Sequence, residues 1–260
     1  MSTVRQSGVS MVQVLREDPE LAESVCADRR DQAIEDCTAR ALWITVGPWR
    51  ASGPATVQDD GIGLLVLNGL LIRRVGILGR CGAELLGAGD VLRPWQPEDE
   101  AGMLAKQVRW TVLEPVRIAL LDVDFCRQLG HYPEVAGRLF GRAIERARNL
   151  AANMAIVHHA RVDVRLHMLF WHLAGRWGRV RGDGTVLPVR LTHSVLAELV
   201  AARRPTVTSA LSDLAKRGLV RSLDDGWLLS GGPPGGSPAE ALAMRSEPLA
   251  ARSEQSIVRS

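Results

Sequence analysis

Histidine and cysteine are the residues of this sequence that could hold a metal or carry redox chemistry, but their spacing predicts no such site. All six histidines follow residue 130, so the first half of the chain offers no imidazole to a metal or a haem. His167 and His172 are five positions apart and do not share a helix face, as paired ligands would. The four cysteines form no Cys-x2-Cys pair; they are Cys26, Cys37, Cys81 and Cys126. With no phosphate loop or nucleophile elbow either, we expect no enzyme, no metal and no cofactor.

Arginines and hydroxyl side chains cluster in "ARRPTVTSALSDLAKRGL", residues 202–219. Pro205 is tolerated in a first helical turn, because the amides there lack intrahelical acceptors. Gly218 is placed to end the helix. The apolar positions, spaced i, i+4 and i+7, are Val207, Leu211 and Leu214. The opposite face therefore presents guanidinium groups, hydroxyls and open amides, which together bind phosphate.

The flanking residues predict the elements that position this helix. Thr192 is a good N-cap for a preceding helix, and "VAAR" is the connecting turn. "LVRSLDDGWLL" predicts a hairpin that turns at Asp224-Asp225-Gly226. A helix, a tight turn, a helix and a hairpin make a winged helix-turn-helix, whose second helix enters the major groove of DNA.

We assign roles to eight residues of this module. Arg204, in the first turn, is expected at a base edge, because arginine pairs bidentately with guanine. Thr192, Arg203 and Arg221 are expected at phosphates. The remaining residues of the groove face are Pro205, Thr206, Thr208 and Ser209.

Short apolar or alternating runs cut by Gly, Asp and Pro fill residues 39–130 and predict strands. In "VRIALL", the apolar Val116, Ile118 and Leu120 recur with period 2. Gly69 inside "GLLVLNGLLIRRVG" indicates a turn or bulge. Several strands at this spacing favour a β-sandwich or barrel.

The period then changes to that of a long helix, which begins at Pro133 and runs for about 25 residues. Its apolar residues follow gaps of 3, 4, 3, 4 and 3, as in a dimer seam. The seam is Phe140, Ala143, Ala147, Leu150, Met154 and Val157.

Charge and composition divide the chain further. Residues 161–230 carry 11 basic and 6 acidic groups, whereas residues 1–160 carry 18 and 20, so the C-terminal module is the basic one. The N-terminus lacks a secretory signal, and no apolar run is long enough to span a bilayer, so we expect a cytoplasmic protein without a membrane partner. We predict a helical segment over 1–38, a strand-rich domain over 39–130, a dimerisation helix over 131–160, a winged helix-turn-helix over 161–230 and a disordered tail over 231–260.

Residues 191–231 resemble the DNA-binding domain of the Crp/Fnr family of bacterial transcription regulators. The residues that carry the resemblance are Arg204, Thr206, Val207, Leu211, Leu214, Gly218, Leu219 and Val220. "GLLVLNGLLIRRVG…AELLGAGDVL" resembles the family's cyclic-nucleotide-binding jelly roll, so the resemblance covers roughly 39–230. It implies an α+β fold with an N-terminal jelly-roll sensor domain, a long dimerisation helix and a C-terminal winged helix-turn-helix. It also implies a homodimer that binds an inverted repeat in double-stranded DNA, with RNA polymerase and a small-molecule effector as further expected partners.

Two departures from the family pattern limit that resemblance. Where the family often has Glu and a second Arg in the recognition helix, this chain has Pro205 and Ser209, so the family's target sequence does not carry over. Where cyclic-nucleotide binders have a Gly-Glu pair, this chain has Arg93-Pro94, and no Arg-Ser pair precedes Trp110. We therefore expect no cyclic-AMP binding in the family's manner. Arg93 and Trp95 are the candidates for a different effector pocket.

Two alternatives stay open on the sequence alone. One is a jelly-roll enzyme, and the other is an interaction module whose winged helix contacts protein rather than DNA. A gel shift with genomic fragments separates both from a regulator.

Overall fold

The computed structural model describes residues 6–50, 61–95 and 106–234. These residues fall into two compact units, Met1–Ala152 and Asn153–Ser260. Most of the predicted tail, from residue 235 onward, lies outside the described residues. None of the described helices is both long enough and apolar enough to cross a bilayer.

The first unit contains seven strands and five helices among its described residues, the fifth helix running on into the second unit. The strands are β1 (Gln6–Gln13), β2 (Thr38–Ile44), β3 (Gly47–Trp49), β4 (Gly63–Ile77), β5 (Arg80–Gly87), β6 (Val91–Leu92) and β7 (Gln107–Leu121). The helices are α1 (Val14–Glu17), α2 (Pro19–Ala22), α3 (Ala27–Asp36), α4 (Val123–Leu129) and α5 (Pro133–Val157).

The strands form one antiparallel sheet in the order β1-β2-β7-β4-β5, with β3 also paired to β7 and β6 to β4. Within the described residues this path is open at both ends. Strand β7 contributes apolar side chains to the cores on both faces of the sheet. Val116, Ile118 and Leu120 enter one core, whereas Ala119 and Leu121 enter the other. The period-2 alternation therefore places side chains correctly, but both faces of this stretch are buried.

The predicted irregularity at Gly69 is confirmed as a bulge in the pairing of β4 with β7. Gly69 has φ +92°, and a Cβ atom there would meet the Pro115 carbonyl oxygen at 2.2 Å. Only glycine allows the two backbones to approach this closely.

The N-terminal segment differs from the helical segment predicted over 1–38. Residues Gln6–Gln13 form strand β1, which pairs with β2, and three short helices follow. Asp18 lies directly before α2, at the N-cap position, but its side chain makes no cap hydrogen bond. It instead accepts hydrogen bonds from Arg142 of α5, so a tertiary ion pair replaces the local cap.

Among its described residues, the second unit contains three further helices and a four-stranded sheet. The helices are α6 (Val162–Trp177), α7 (His193–Leu199) and α8 (Arg204–Lys216), and the strands are β8 (Arg179–Arg181), β9 (Gly184–Leu187), β10 (Val220–Leu223) and β11 (Gly226–Leu229). Strand β8 has no counterpart in the sequence prediction, because all three of its residues are exposed and give no apolar pattern. The predicted wing, β10 and β11, is confirmed and continues through β9 to β8.

Helix α6 and the wing both contribute to the core of the second unit. Leu166, Leu169 and Leu173 of α6 are buried. The Phe170 ring lies 4.9 Å from the Trp227 ring of β11, which joins helix to sheet. Gly226, predicted in the hairpin turn, instead opens β11, where a Cβ atom would meet the Leu187 carbonyl oxygen at 2.1 Å.

Candidate nucleic-acid interface

Helix α8 begins and ends where the sequence predicts. Arg203 is the N-cap and Pro205 lies in the first turn. Gly218, with φ +67°, follows the helix, and its N–H donates to Ala215 O at 2.9 Å. The N–H of Leu219 donates to Leu214 O at 3.0 Å, which completes a Schellman motif. The buried face consists of Val207, Ala210, Leu211 and Leu214.

All eight residues assigned to DNA are exposed. Thr192 caps α7, and its Oγ1 accepts from the N–H of Val195 at 3.3 Å. Arg203, Arg204, Pro205, Thr206, Thr208 and Ser209 lie at and after the start of α8, and Arg221 lies on β10. The Thr208 hydroxyl bonds to Arg204 O at 3.1 Å and the Ser209 hydroxyl to Pro205 O at 3.3 Å. Both hydroxyls thus bond to carbonyl oxygens of their own helix.

His193 is a residue of this surface that sequence reasoning missed. Its Nδ1 lies 2.9 Å from Thr208 Oγ1, which holds the start of α7 beside α8. Which of the two atoms donates depends on the tautomer of the imidazole ring. The signal was its position directly after the Thr192 cap, in the first turn of the helix.

Arg165 of α6 is a second residue that the sequence did not identify. Its Nη1 donates to the carbonyl oxygens of Val200 and Ala201, at 3.1 and 3.3 Å. Ala201 has φ +49°, an uncommon conformation for a residue with a side chain. Arg165 therefore satisfies the carbonyls of the tight turn that fixes α7 against α8. No local pattern marks it, because the contact spans 35 positions.

Charge pairing separates the predicted contact residues from cations nearby. Arg217 contacts Asp163 at 3.4 Å, Lys216 contacts Asp213 at 3.9 Å and Arg190 pairs with Asp225. The hydrogen bond from Arg161, aided by its charge, holds the pKa of Asp163 below its usual value, so this carboxylate stays ionised. Within the described ranges, by contrast, no acidic side chain pairs with Arg203, Arg204 or Arg221. Their charge is available to a polyanion.

The predicted seam lies on α5, which spans Pro133–Val157 as expected. Phe140 and Met154 are 68% and 64% exposed, and Ala143 and Ala147 are exposed too. Leu150 and Val157 are half-buried. Ile144, which was not predicted, adds another exposed apolar side chain. The helix thus presents a partly exposed apolar stripe, whose exposed members are Phe140, Ala143, Ile144, Ala147 and Met154.

A cavity of about 690 Å³ lies in the first unit, a volume typical of small-molecule pockets. It is lined by Ile62, Arg73, Val91, Arg93, Trp110, Ala136, Leu139, Phe140, Ala143 and Arg146. Arg93, a candidate for an effector pocket, lines this cavity, and its buried Nε has no hydrogen-bond partner among the described residues. Trp95 instead packs against the core that contains Trp110.

Of the two histidines of α6, His167 is buried and His172 is half-buried. Burial lowers the pKa of both His167 and His172, which favours their neutral forms. Trp171 Nε1 donates to His167 Nε2 at 3.0 Å. Across the part of the chain that the structure describes, no three His, Cys, Asp or Glu side chains are grouped to hold a metal ion.

Comparison with known proteins gives the same assignment for the second unit. Residues 164–229 match the model of the Crp-like helix-turn-helix domain. A CRP-like cAMP-activated global transcriptional regulator of Mycobacterium tuberculosis is 32% identical over 112 residues, 43% of this chain and 50% of that protein. The chain thus spans about half the length of the curated relatives it matches.

Solved structures extend the likeness of fold along most of the chain. A CooA mutant from Carboxydothermus hydrogenoformans matches with a TM-score of 0.58 and 14% identity, covering 93% of this chain and 98% of that one. A cyclic nucleotide-binding domain containing protein from Listeria monocytogenes matches with 0.59 and 16%, covering 72% and 87%. The c-di-GMP responsive regulator CLP of Xanthomonas campestris matches with 0.51 and 15%, covering 83% and 100%.

These matches confirm the predicted α+β fold, with its N-terminal jelly roll and C-terminal winged helix-turn-helix. The relatives are transcription regulators, not enzymes. The predicted resemblance is therefore confirmed: this chain carries a Crp-like helix-turn-helix domain and has the fold of the Crp/Fnr transcription regulators.

Proposed function

We propose that the chain is a homodimeric, cytoplasmic transcription regulator that reads an inverted repeat in double-stranded DNA with helix α8. The observation that carries the proposal is the pairing pattern in the second unit. Arg203, Arg204 and Arg221 are exposed and, in the described chain, have no acidic partner, whereas Arg190, Lys216 and Arg217 are paired. Unpaired guanidinium groups at the start of a helix suit phosphates and guanine edges. Contacts with RNA polymerase belong to the same proposal.

Dimerisation through α5 would supply the two-fold symmetry that an inverted repeat requires. Its support is the exposed stripe from Phe140 to Met154, which follows the predicted spacing of 3 and 4. Two such helices would bring their recognition helices to half-sites about one helical turn apart. Small Ala143 and Ala147 would let the two backbones approach closely.

Effector binding is the part of the proposal in which the chain departs from its relatives. The Mycobacterium tuberculosis relative is described as activated by cAMP. This chain has Arg93-Pro94 where a Gly-Glu pair would bind the ribose, and its cavity is lined by Arg73, Arg93 and Arg146 beside apolar groups. We propose an effector other than a cyclic nucleotide. Calorimetry with cyclic AMP and cyclic GMP at micromolar concentrations should give no isotherm, and saturable binding would contradict this.

DNA binding is tested first by selecting fragments from the source genome with the full chain and footprinting the best one. An alanine series then separates the roles. Arg204→Ala should cost about 1–3 kcal/mol per half-site and relax preference at one base pair. Arg203→Ala and Arg221→Ala should lower the affinity for every DNA sequence by the same factor. Each should also reduce the salt dependence of binding by the amount expected for about one phosphate contact.

Lys216→Ala is the matched control, because it removes the same charge from the far end of α8. It should leave both affinity and salt dependence near those of the parent. If Arg204→Ala weakens the selected and scrambled DNA equally, Arg204 only positions the helix. If the full chain selects no fragment at all, the winged helix serves protein contacts instead.

A further inference from the structure

A carboxylate is held beside the cavity of the first unit by two arginines from different elements. Glu84 of β5 is 7% exposed. Its Oε1 accepts from Arg146 Nε of α5 at 2.6 Å, and its Oε2 accepts from Arg146 Nη2 at 2.8 Å. Arg73 Nη1 of β4 donates to the same Oε2 at 3.2 Å. One buried carboxylate thus joins two strands of the sheet to the long helix.

The geometry at Oε2 makes Glu84 necessary for this arrangement. Two guanidinium nitrogens that share one oxygen lie within about 6 Å of each other, where like charges repel strongly unless an anion lies between them. Arg73 and Arg146 also line the cavity, together with Arg93. Without Glu84, Arg73 and Arg146 would lose the carboxylate that they share beside Arg93, and this side of the pocket would favour an anion. The bidentate contact with Arg146 is the one that a bound carboxylate or phosphate would make.

We infer that Glu84 is a built-in anionic ligand of this pocket, which fastens Arg146, and with it α5, to the sheet without an effector. The inference rests on the proposal that the cavity is an effector pocket. As a consequence, the apolar stripe of α5 would be held in the same position whether or not an effector is bound. An anionic effector would then have to displace Glu84 or bind at Arg93, whose buried Nε has no partner within the described residues.

The test is chemical rescue of Glu84→Ala in the full chain, with sodium acetate and inorganic phosphate as separate probes at constant ionic strength. Removing the carboxylate should lower Tm by about 6–15 °C and increase hydrogen exchange in residues 133–150, because a largely buried ion pair loses one partner. Either anion at about 0.1 M should recover at least half of the loss. Acetate acting alone would assign the site to carboxylates, and phosphate alone to phosphoryl groups.

Two further variants control the experiment. Glu84→Gln fills the same space without the charge, so it should weaken protection of α5 but gain nothing from added anion. The double variant Glu84→Ala/Arg146→Met lacks the guanidinium and should not be rescued. The inference is overturned if Glu84→Ala keeps the parent's Tm and exchange, or if the anions stabilise all variants equally.

If Glu84→Ala does not fold, the Glu84→Gln variant decides, and unchanged protection of α5 refutes the inference. DNA binding is measured separately on the same samples. Failure to bind DNA would refute the proposed regulator without altering these stability readings.

Discussion

Thr192 offers a prediction in which stability and DNA binding change in opposite directions. Its Oγ1 caps α7 through the N–H of Val195, and its exposed position makes it a proposed phosphate contact. The cap hydrogen bond, at 3.3 Å, is longer than the usual N–H···O range, so its loss in Thr192→Ala should cost about 0.5–1 kcal/mol of unfolding free energy. Thr192→Ser keeps both functions and is the control.

Thr192→Asp separates the two roles. Aspartate caps helices at least as well as threonine, and its charge suits the first turn of α7, which has no acidic residue. The variant should therefore be as stable as the parent or up to about 0.5 kcal/mol more stable. Its carboxylate would repel a phosphate, and we expect DNA affinity to fall by about 1 kcal/mol or more per half-site at low salt.

The assay is urea unfolding beside DNA titrations across a salt series, all on the full chain. The affinity loss of Thr192→Asp should shrink as salt rises, because salt screens the repulsion. If this variant is as stable as the parent and binds DNA equally well at low salt, Thr192 does not lie near a phosphate. If Thr192→Ala is as stable as Thr192→Ser, the cap contributes nothing to the unit.

Three other perturbations test the remaining elements. Leu150→Glu should yield a monomer by light scattering, because two carboxylates would face each other in the proposed seam; a persistent dimer would place the interface elsewhere. Gly69→Ala should lower the free energy of unfolding in urea by about 3 kcal/mol, because its Cβ would meet Pro115 O at 2.2 Å. Gly79→Ala is the control: Gly79 also has positive φ but nothing within 4 Å, so its loss should be about 1 kcal/mol. Equal losses would assign the whole effect to backbone conformation. Burial lowers the pKa of His167 and His172 in the folded protein from 6.5, so the unfolded chain binds more protons than the folded one below that pH. Stability should therefore be lost as pH falls from about 6.5 through the lowered pKa values of the folded state. Unfolding at pH 7 and pH 5.5 should differ less in His167→Gln, and an unchanged difference would mean that His167 does not contribute.

Local chemistry made the recognition helix predictable from sequence. Pro205 can occupy a first turn, Gly218 can adopt positive φ at an end, and the spacing of Val207, Leu211 and Leu214 defines a buried face. Each constraint acts within a few residues, so none needs knowledge of the rest of the chain. The position of α5 follows from the same kind of local pattern, because Pro133 can open a first turn. A glycine inside a strand run indicated the irregularity at Gly69, but the backbone that approaches it belongs to β7.

Long-range contacts were decided only by the tertiary structure. Asp18 lies at a helix N-cap position, yet its carboxylate accepts a hydrogen bond from Arg142, 124 positions away, instead of capping the helix. The contact of Glu84 with Arg146 spans 62 positions, and that of Arg165 with the turn before α8 spans 35. An arginine in a sequence does not reveal which carboxylate or carbonyl it will meet, because many partners have equivalent chemistry and only the packing of strands against helices selects one. The packing therefore decides which arginines are left without an acidic partner among the described residues of the second unit, and it places the Glu84 carboxylate beside the cavity in the first.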